Sequence, residues 1–228
     1  MSEVTPVRGP RPRWVRWLLA VAAVLLCVLT IALAVGSEQL ARLDQTVADW
    51  GYHSTWGHAG RSSFWVAVAT YGQPMVLRAV LVLLALVLLP LLLARKRNWC
   101  LAAWLVAVTV TENVIAPSTK LLLSRPRPEW LEPIAVEHSL SYPSGHAAMA
   151  GTFAAAVILV ALAMMGPGWS RRLVVLLALL VYLVISVDRI FLGVHYLSDV
   201  VAGNLLGLCI ALAGWLLLLR VTSSGSGW

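Results

Sequence analysis

The sequence predicts an all-α polytopic membrane protein with six transmembrane helices, and three observations carry that prediction. Hydrophobic residues make up 60% of the 228-residue chain and charged residues only 12%. With a mean hydropathy of +0.85, this is more apolar surface than a soluble core of that length can bury. The apolar residues form continuous runs near the roughly 20 residues that cross a bilayer as a helix. They do not alternate, which argues against a barrel of half-polar strands. Basic residues gather at the ends of these runs, where they set orientation. A single membrane-embedded domain over residues 1–228 follows.

The first run, Trp17 to Val35, follows an arm, residues 1–16, that holds Arg8, Arg11, Arg13 and Arg16. A signal peptide has a similar outline, but the run is long for one and the remaining chain is itself membrane-embedded, so a retained helix is the expectation. Residues 37–61 are more polar. Leu40, Leu43, Val47 and Trp50 recur there at helical spacing beside Glu38, Asp44 and Asp49, the pattern of an amphipathic helix on the membrane surface. Such a helix either covers a site or rests on lipid as a connector. A short apolar piece, Phe64 to Thr70, is broken by Tyr71-Gly-Gln-Pro74.

The second span is expected from Met75 to Ala94, stopped by Arg95-Lys96-Arg97, and the third from Trp99 to Pro117. A polar loop, Ser124 to Tyr142, leads to a fourth span from Pro143 to Met165. The fifth runs from Leu173 to Ile190 and the sixth from Leu197 to Leu219, before Arg220 and a Ser/Gly-rich tail. Cys27, Cys100 and Cys209 lie far apart inside apolar runs, which reads as buried small side chains and not as a disulfide framework or metal site. The net charge of +7 is scattered between spans without a continuous basic face, so nucleic acid is not the expected partner.

Six spans put both termini on one side. Ten basic residues fall on that side and seven on the other, so the termini are expected in the cytoplasm. Three polar clusters then share the extracytoplasmic side: Lys120 to Pro128, Pro143-Ser-Gly-His146, and Arg189 to Asp199.

The chemistry of these clusters is that of phosphate. Lys120, Arg127 and Arg189 stand at the outer ends of three spans, and grouping three cations beside a membrane demands an anion. Arginine forks grip phosphate oxygens bidentately, while lysine acts as a point charge. Pro126 and Pro128 hold the chain around Arg127 extended. Ser144 is placed as the N-cap of a helix whose free amides, including that of Gly145, favour an anion. His146, in that first turn, is placed as a general acid. His195 and Asp199 are four residues apart, so a local helical turn would put them on one face, with the carboxylate fixing the ring's tautomer. That makes His195 the better nucleophile of the two histidines.

At these residues the chain resembles the type 2 phosphatidic acid phosphatase superfamily, whose signature is K-x6-R-P, then P-S-G-H, then S-R-x5-H-x3-D. Lys120 with Arg127-Pro128, Pro143 to His146, and Arg189, His195 and Asp199 match in order. One position departs, because Asp188 stands where the signature has serine. The resemblance implies a helical-bundle phosphatase core and a two-step, metal-independent reaction. His195 would form a phosphohistidine, Asp199 would orient it, His146 would protonate the leaving group and water would release phosphate. Lys120, Arg127, Ser144, Gly145 and Arg189 would bind the phosphate; no cofactor and no obligatory protein partner is implied.

The expected substrate is a lipid phosphate or diphosphate reached from the bilayer. Polyprenyl diphosphate is favoured because Arg78 and Arg125 offer cations beyond the first phosphate; phosphatidylglycerol phosphate and phosphatidic acid also fit. Arg78 has the simpler alternative of snorkelling to the interface. Glu112 and Asn113 lie in the third span, where an ionisable group is a functional candidate, although Glu112 could merely pair with a nearby cation. Two rivals remain: a phosphotransferase to an alcohol or sugar, and a transporter or scaffold with a degenerate site.

Overall fold

The computed structural model describes residues 12–94 and 99–224. Within them the chain forms α1 (Pro12–Ala34), α2 (Glu38–Thr55), α3 (Ala59–Tyr71), α4 (Pro74–Ala94), α5 (Cys100–Thr119), a 3₁₀ turn (Lys120–Leu122), α6 (Gly145–Met164), α7 (Trp169–Phe191) and α8 (Leu197–Ser224). Helices α1, α4, α5, α6, α7 and α8 are long and apolar enough to cross a membrane, which matches the six expected spans. Most of the N-terminal arm, Arg95-Lys96-Arg97 and the end of the tail lie outside the described residues. Pro12 to Arg16, expected in the arm, form the first turn of α1; proline needs no hydrogen-bond partner there.

Helix α6 is the centre of the bundle. Of its spanning segment 72% is buried, against 6% for α1, because α4, α5, α7 and α8 all pack on it. Its sequence explains how so many neighbours fit. Ala147, Ala148, Gly151, Ala154 and Ala155 present little side chain, and small residues let helix backbones approach closely in lipid. Gly207 of α8 is the tightest point: a Cβ there would collide with the Ala148 carbonyl oxygen and lie 2.7 Å from the Thr152 amide nitrogen. The Thr152 hydroxyl donates to both the Ala148 and Gly207 carbonyls, at 3.0 and 3.3 Å. Elsewhere in the core, Leu81, Leu105, Met149 and Trp215 are fully buried, and Trp104 meets Trp215 edge-on at 5.1 Å. The lipid side carries exposed leucines and valines along α1, α4 and α7.

The segment 37–61 differs from its expectation in two ways. It is not one helix, since α2 ends at Thr55 and α3 begins at Ala59, absorbing the apolar piece beyond it; Gly57 turns the chain with φ +76°. One acidic position also turns inward. Asp44, Ala48, Gly51, Tyr52 and Thr55 are buried, whereas Leu43 and Trp50 are 49% and 61% exposed. The reason is that α2 lies against α7 and α8 over a polar site, so its polar and small residues turn inward. Of the two roles left open by the sequence, α2 takes that of a cover.

The third span continues through Pro117 to Thr119, and the fourth starts at Gly145 and not at Pro143. Ser144 caps it, its hydroxyl accepting from the Ala147 amide at 3.4 Å.

Candidate active site

His195 sits in the bend between α7 and α8 and is 2% exposed. Its Nε2 lies 3.0 Å from Arg127 Nη1. A guanidinium can only donate, so Nε2 is the acceptor and the ring proton resides on Nδ1. That nitrogen is 3.3 Å from Ser141 Oγ and 3.6 Å from Asp199 Oδ2. The direct His–Asp pair is therefore longer than a hydrogen bond. Ser141 closes the gap by donating to Asp199 Oδ2 at 2.6 Å. Only Asp199 is helical, in the first turn of α8, where its carboxylate also accepts the Tyr196 amide at 2.9 Å; His195 precedes the helix. Burial holds the imidazole pKa down at about 4 against the opposing pull of Asp199. The ring is thus neutral at neutral pH, with its Nε2 lone pair turned toward Arg127.

Three elements contribute the cations, all within electrostatic reach of His146. Arg127 is fixed by the Ser139 and Val194 carbonyls, both at 2.7 Å. Lys120, at the end of α5, donates to the Leu140 carbonyl at 2.5 Å and to that of Pro143 at 3.3 Å. Arg189, in the last turn of α7, is 1% exposed and is held by the Asp188 carboxylate through Nε and Nη2. The extra carboxylate at the departing signature position is thus the arginine's own clamp. His146 opens α6 within electrostatic reach of Arg189, His195, Arg127 and Lys120. Ser144 is buried, and its amide donates to the Asp199 carbonyl at 3.0 Å, tying the two helix starts together. The Gly145 amide heads the same helix N-terminus, whose dipole favours an anion.

Gly193 supplies the bend. Its φ is +66°, and a Cβ would meet the Trp130 indole nitrogen at 2.5 Å. That indole donates to the Gly193 carbonyl at 2.8 Å and stacks on Tyr52 at 3.9 Å, so loop, α2 and bend are locked together.

Two expected cations are engaged elsewhere. Arg125 donates to Asp199 Oδ1 and Asp44 Oδ2, both at 2.8 Å, and to Ser198 Oγ at 2.7 Å. It supports the carboxylate from behind, with its guanidinium shared among Asp199, Asp44 and Ser198. Arg78 pairs with the fully buried Glu112 at 3.1 Å, between α4 and α5. Glu112 thus has the cation partner that the sequence left open, and Asn113 is exposed.

Sequence reasoning missed Ser141 and Asp44. Asp44 is 1% exposed; besides Arg125 it accepts the Ser198 amide at 2.9 Å and its hydroxyl at 2.5 Å. The available signal was its place in an i, i+4, i+8 series with Ala48 and Tyr52, a stripe of small and polar residues on an otherwise membrane-facing helix.

Residues 97–223, more than half of the chain, match the PAP2 superfamily. Among curated relatives, an undecaprenyl-diphosphatase of Sulfolobus acidocaldarius is 33% identical over 144 residues, 60% of this chain and 62% of that one. Phosphatidylglycerophosphatase B of Bacillus subtilis is 33% identical over 101 residues, 40% and 49% of the two chains. The matched stretches thus span less than two thirds of either relative. A crystal structure of a transmembrane PAP2-type phosphatidylglycerolphosphate phosphatase from Bacillus subtilis shares the fold, with a TM-score of 0.73 at 18% identity over 92% of this chain and 98% of that one. Aquifex aeolicus LpxE is also similar, with a TM-score of 0.56 at 23% identity, covering 79% and 96%. The matched region holds all three polar clusters, and the chain belongs to the PAP2 superfamily.

Proposed function

We propose that this protein is a membrane lipid phosphatase that works without a metal, through a phosphohistidine at His195. The observation that carries the reading is a buried neutral imidazole whose Nε2 faces Arg127 while Nδ1 faces Ser141 and Asp199. In the first step the Nε2 lone pair attacks phosphorus as the bond to the lipid oxygen breaks, and His146 gives that oxygen a proton. In the second, water attacks phosphorus and passes a proton to His146. The P–N electrons return to Nε2, and phosphate leaves. Lys120, Arg127 and Arg189, with the α6 N-terminus, stabilise the charge on the equatorial oxygens.

The substrate is a lipid carrying a terminal phosphate or diphosphate. Arg78 and Arg125 no longer argue for a second phosphate, since both are paired with carboxylates. Polyprenyl diphosphate still comes first, because the relative with the longer matched stretch is named an undecaprenyl-diphosphatase. Phosphatidylglycerol phosphate follows from the second relative, and phosphatidic acid remains a further lipid to test. The charge bias of the loops supports cytoplasmic termini and an extracytoplasmic site.

Phosphate release by the purified protein in detergent with EDTA, compared across these lipids and with His195→Ala, tests the reading. Release by the wild type alone is the expected result, and the relative rates identify the lipid. Loss of the terminal phosphate from the lipid only when an alcohol or sugar is added, with the phosphate recovered on that acceptor, would instead make the protein a transferase, and a wild type without turnover would return the scaffold alternative.

A further inference from the structure

Two carboxylates meet Arg189, and they differ in kind. Asp188 is fully buried, adjacent in the chain and bonded through two guanidinium nitrogens. Glu137 comes from the irregular segment before α6 and has a 35% exposed side chain. It approaches Arg189 Nη1 at 3.6 Å, an ion pair longer than a hydrogen bond. The same carboxylate lies within electrostatic reach of Arg127 and of Lys120. One loosely held anion therefore stands among the three cations assigned to phosphate. Asp188 leaves Nη1 as the corner of Arg189 that can change partners.

We propose that Glu137 sets the threshold for headgroup binding: its carboxylate serves as an internal anion at the phosphate position, and every headgroup must displace it, so each binds more weakly by a common factor. The proposal rests on the phosphatase reading above. A phosphomonoester end carries about −1.5 to −2 charges at neutral pH, and a terminal diphosphate carries at least as much. The phosphodiester headgroups that make up the surrounding bilayer carry a single negative charge on phosphorus. A diester would exchange one single charge for another and gain little. A monoester or diphosphate brings added charge to Lys120, Arg127 and Arg189 together, and wins. The common factor keeps the more weakly bound diester off the site while the monoester still binds, as for any site that is open only part of the time. Glu137 gives up no proton and forms no bond in the reaction; it only swings aside.

Hydrolysis of a lipid phosphomonoester in mixed micelles, with phosphatidylglycerol added as a phosphodiester competitor, tests this for wild type, Glu137→Gln and Glu137→Asp. Orthovanadate binding is measured on the same preparations. For Glu137→Gln the expected result is a roughly 2- to 5-fold lower inhibition constant for phosphatidylglycerol, the scale of a partly exposed ion pair. KM should fall and vanadate affinity should rise by similar factors, with the change on KM and not on kcat. Glu137→Asp should behave like wild type, which separates charge from folding. An active Glu137→Gln with unchanged competition, KM and vanadate affinity overturns the proposal alone, as does a loss confined to kcat. A wild type that neither hydrolyses nor binds vanadate overturns the phosphatase reading, and this proposal with it.

Discussion

The α6–α8 pair beneath the site and the roof of α2 and residues 123–144 above it hold the same histidine by opposite means. Below, backbone touches backbone: Gly207 leaves no room for a Cβ against Thr152, and the interface is made of alanine and glycine. Above, the chain is largely irregular, and side chains distant in sequence do the holding. Asp44 reaches Ser198 and Arg125, and Arg125 reaches Asp199. The floor sets where the helix ends lie. The roof sets how the reacting groups are turned, so damage to the floor should cost the fold and damage to the roof should cost catalysis.

The sharpest way to break the comparison is at the floor. Gly207→Val should abolish a monodisperse, heat-resistant protein in detergent, measured by gel filtration and a thermal melt, because backbone atoms cannot yield to the added carbons. Gly60→Val, at a position with nothing within 4 Å of the new Cβ, should leave both unchanged. At the roof, Asp44→Ala should keep the helical circular dichroism signal yet lower kcat/KM about 100-fold, since it frees Arg125 and Ser198 and lets the Asp199 carboxylate move. Leu43→Ala, on the exposed face beside it, is the matched control; an equal loss there would contradict the inward placement of Asp44. Ser141→Ala removes one hydrogen bond to Asp199 and should lower kcat about 10-fold.

The mildest perturbation is pH. Burial lowers the His195 pKa to about 4, below the ordinary imidazole value of about 6.5. Between these values the unfolded chain binds a proton that the folded one excludes. Stability contributed by this group is therefore present above about 6.5 and lost as pH falls toward 4. The imidazole itself stays neutral through that window, as the proposed nucleophile must. The acid limb of kcat/KM due to His195 should lie near 4, read from a pH–rate profile, and a limb for that group near 6.5 would mean an imidazole open to water.

The same contrast explains what the sequence disclosed. Lys120, His146, Arg189 and His195 were legible because each lies at or beside a helix end, and six spans of known direction bring those ends to one face. The Ser144 cap was legible from local chemistry alone. Asp44 was not, because an acid on an amphipathic helix reads as solvent-facing until the partner 154 residues away is known. Arg125 was read as a phosphate cation for a related reason: charge shows what attracts a group, not which of several anions claims it. Ser141 lies only two residues before Pro143, yet nothing in its spacing distinguishes it from Ser139, which binds Arg127 instead.

The most direct test of the central claim is to quench turnover of a lipid labelled in its terminal phosphate, under alkaline denaturing conditions that preserve P–N bonds, and to locate the label on the protein. Label on the imidazole of residue 195, lost on acid treatment and absent from His195→Ala, is the predicted result. Turnover by the wild type with no labelled histidine, or label that persists in His195→Ala, would contradict it.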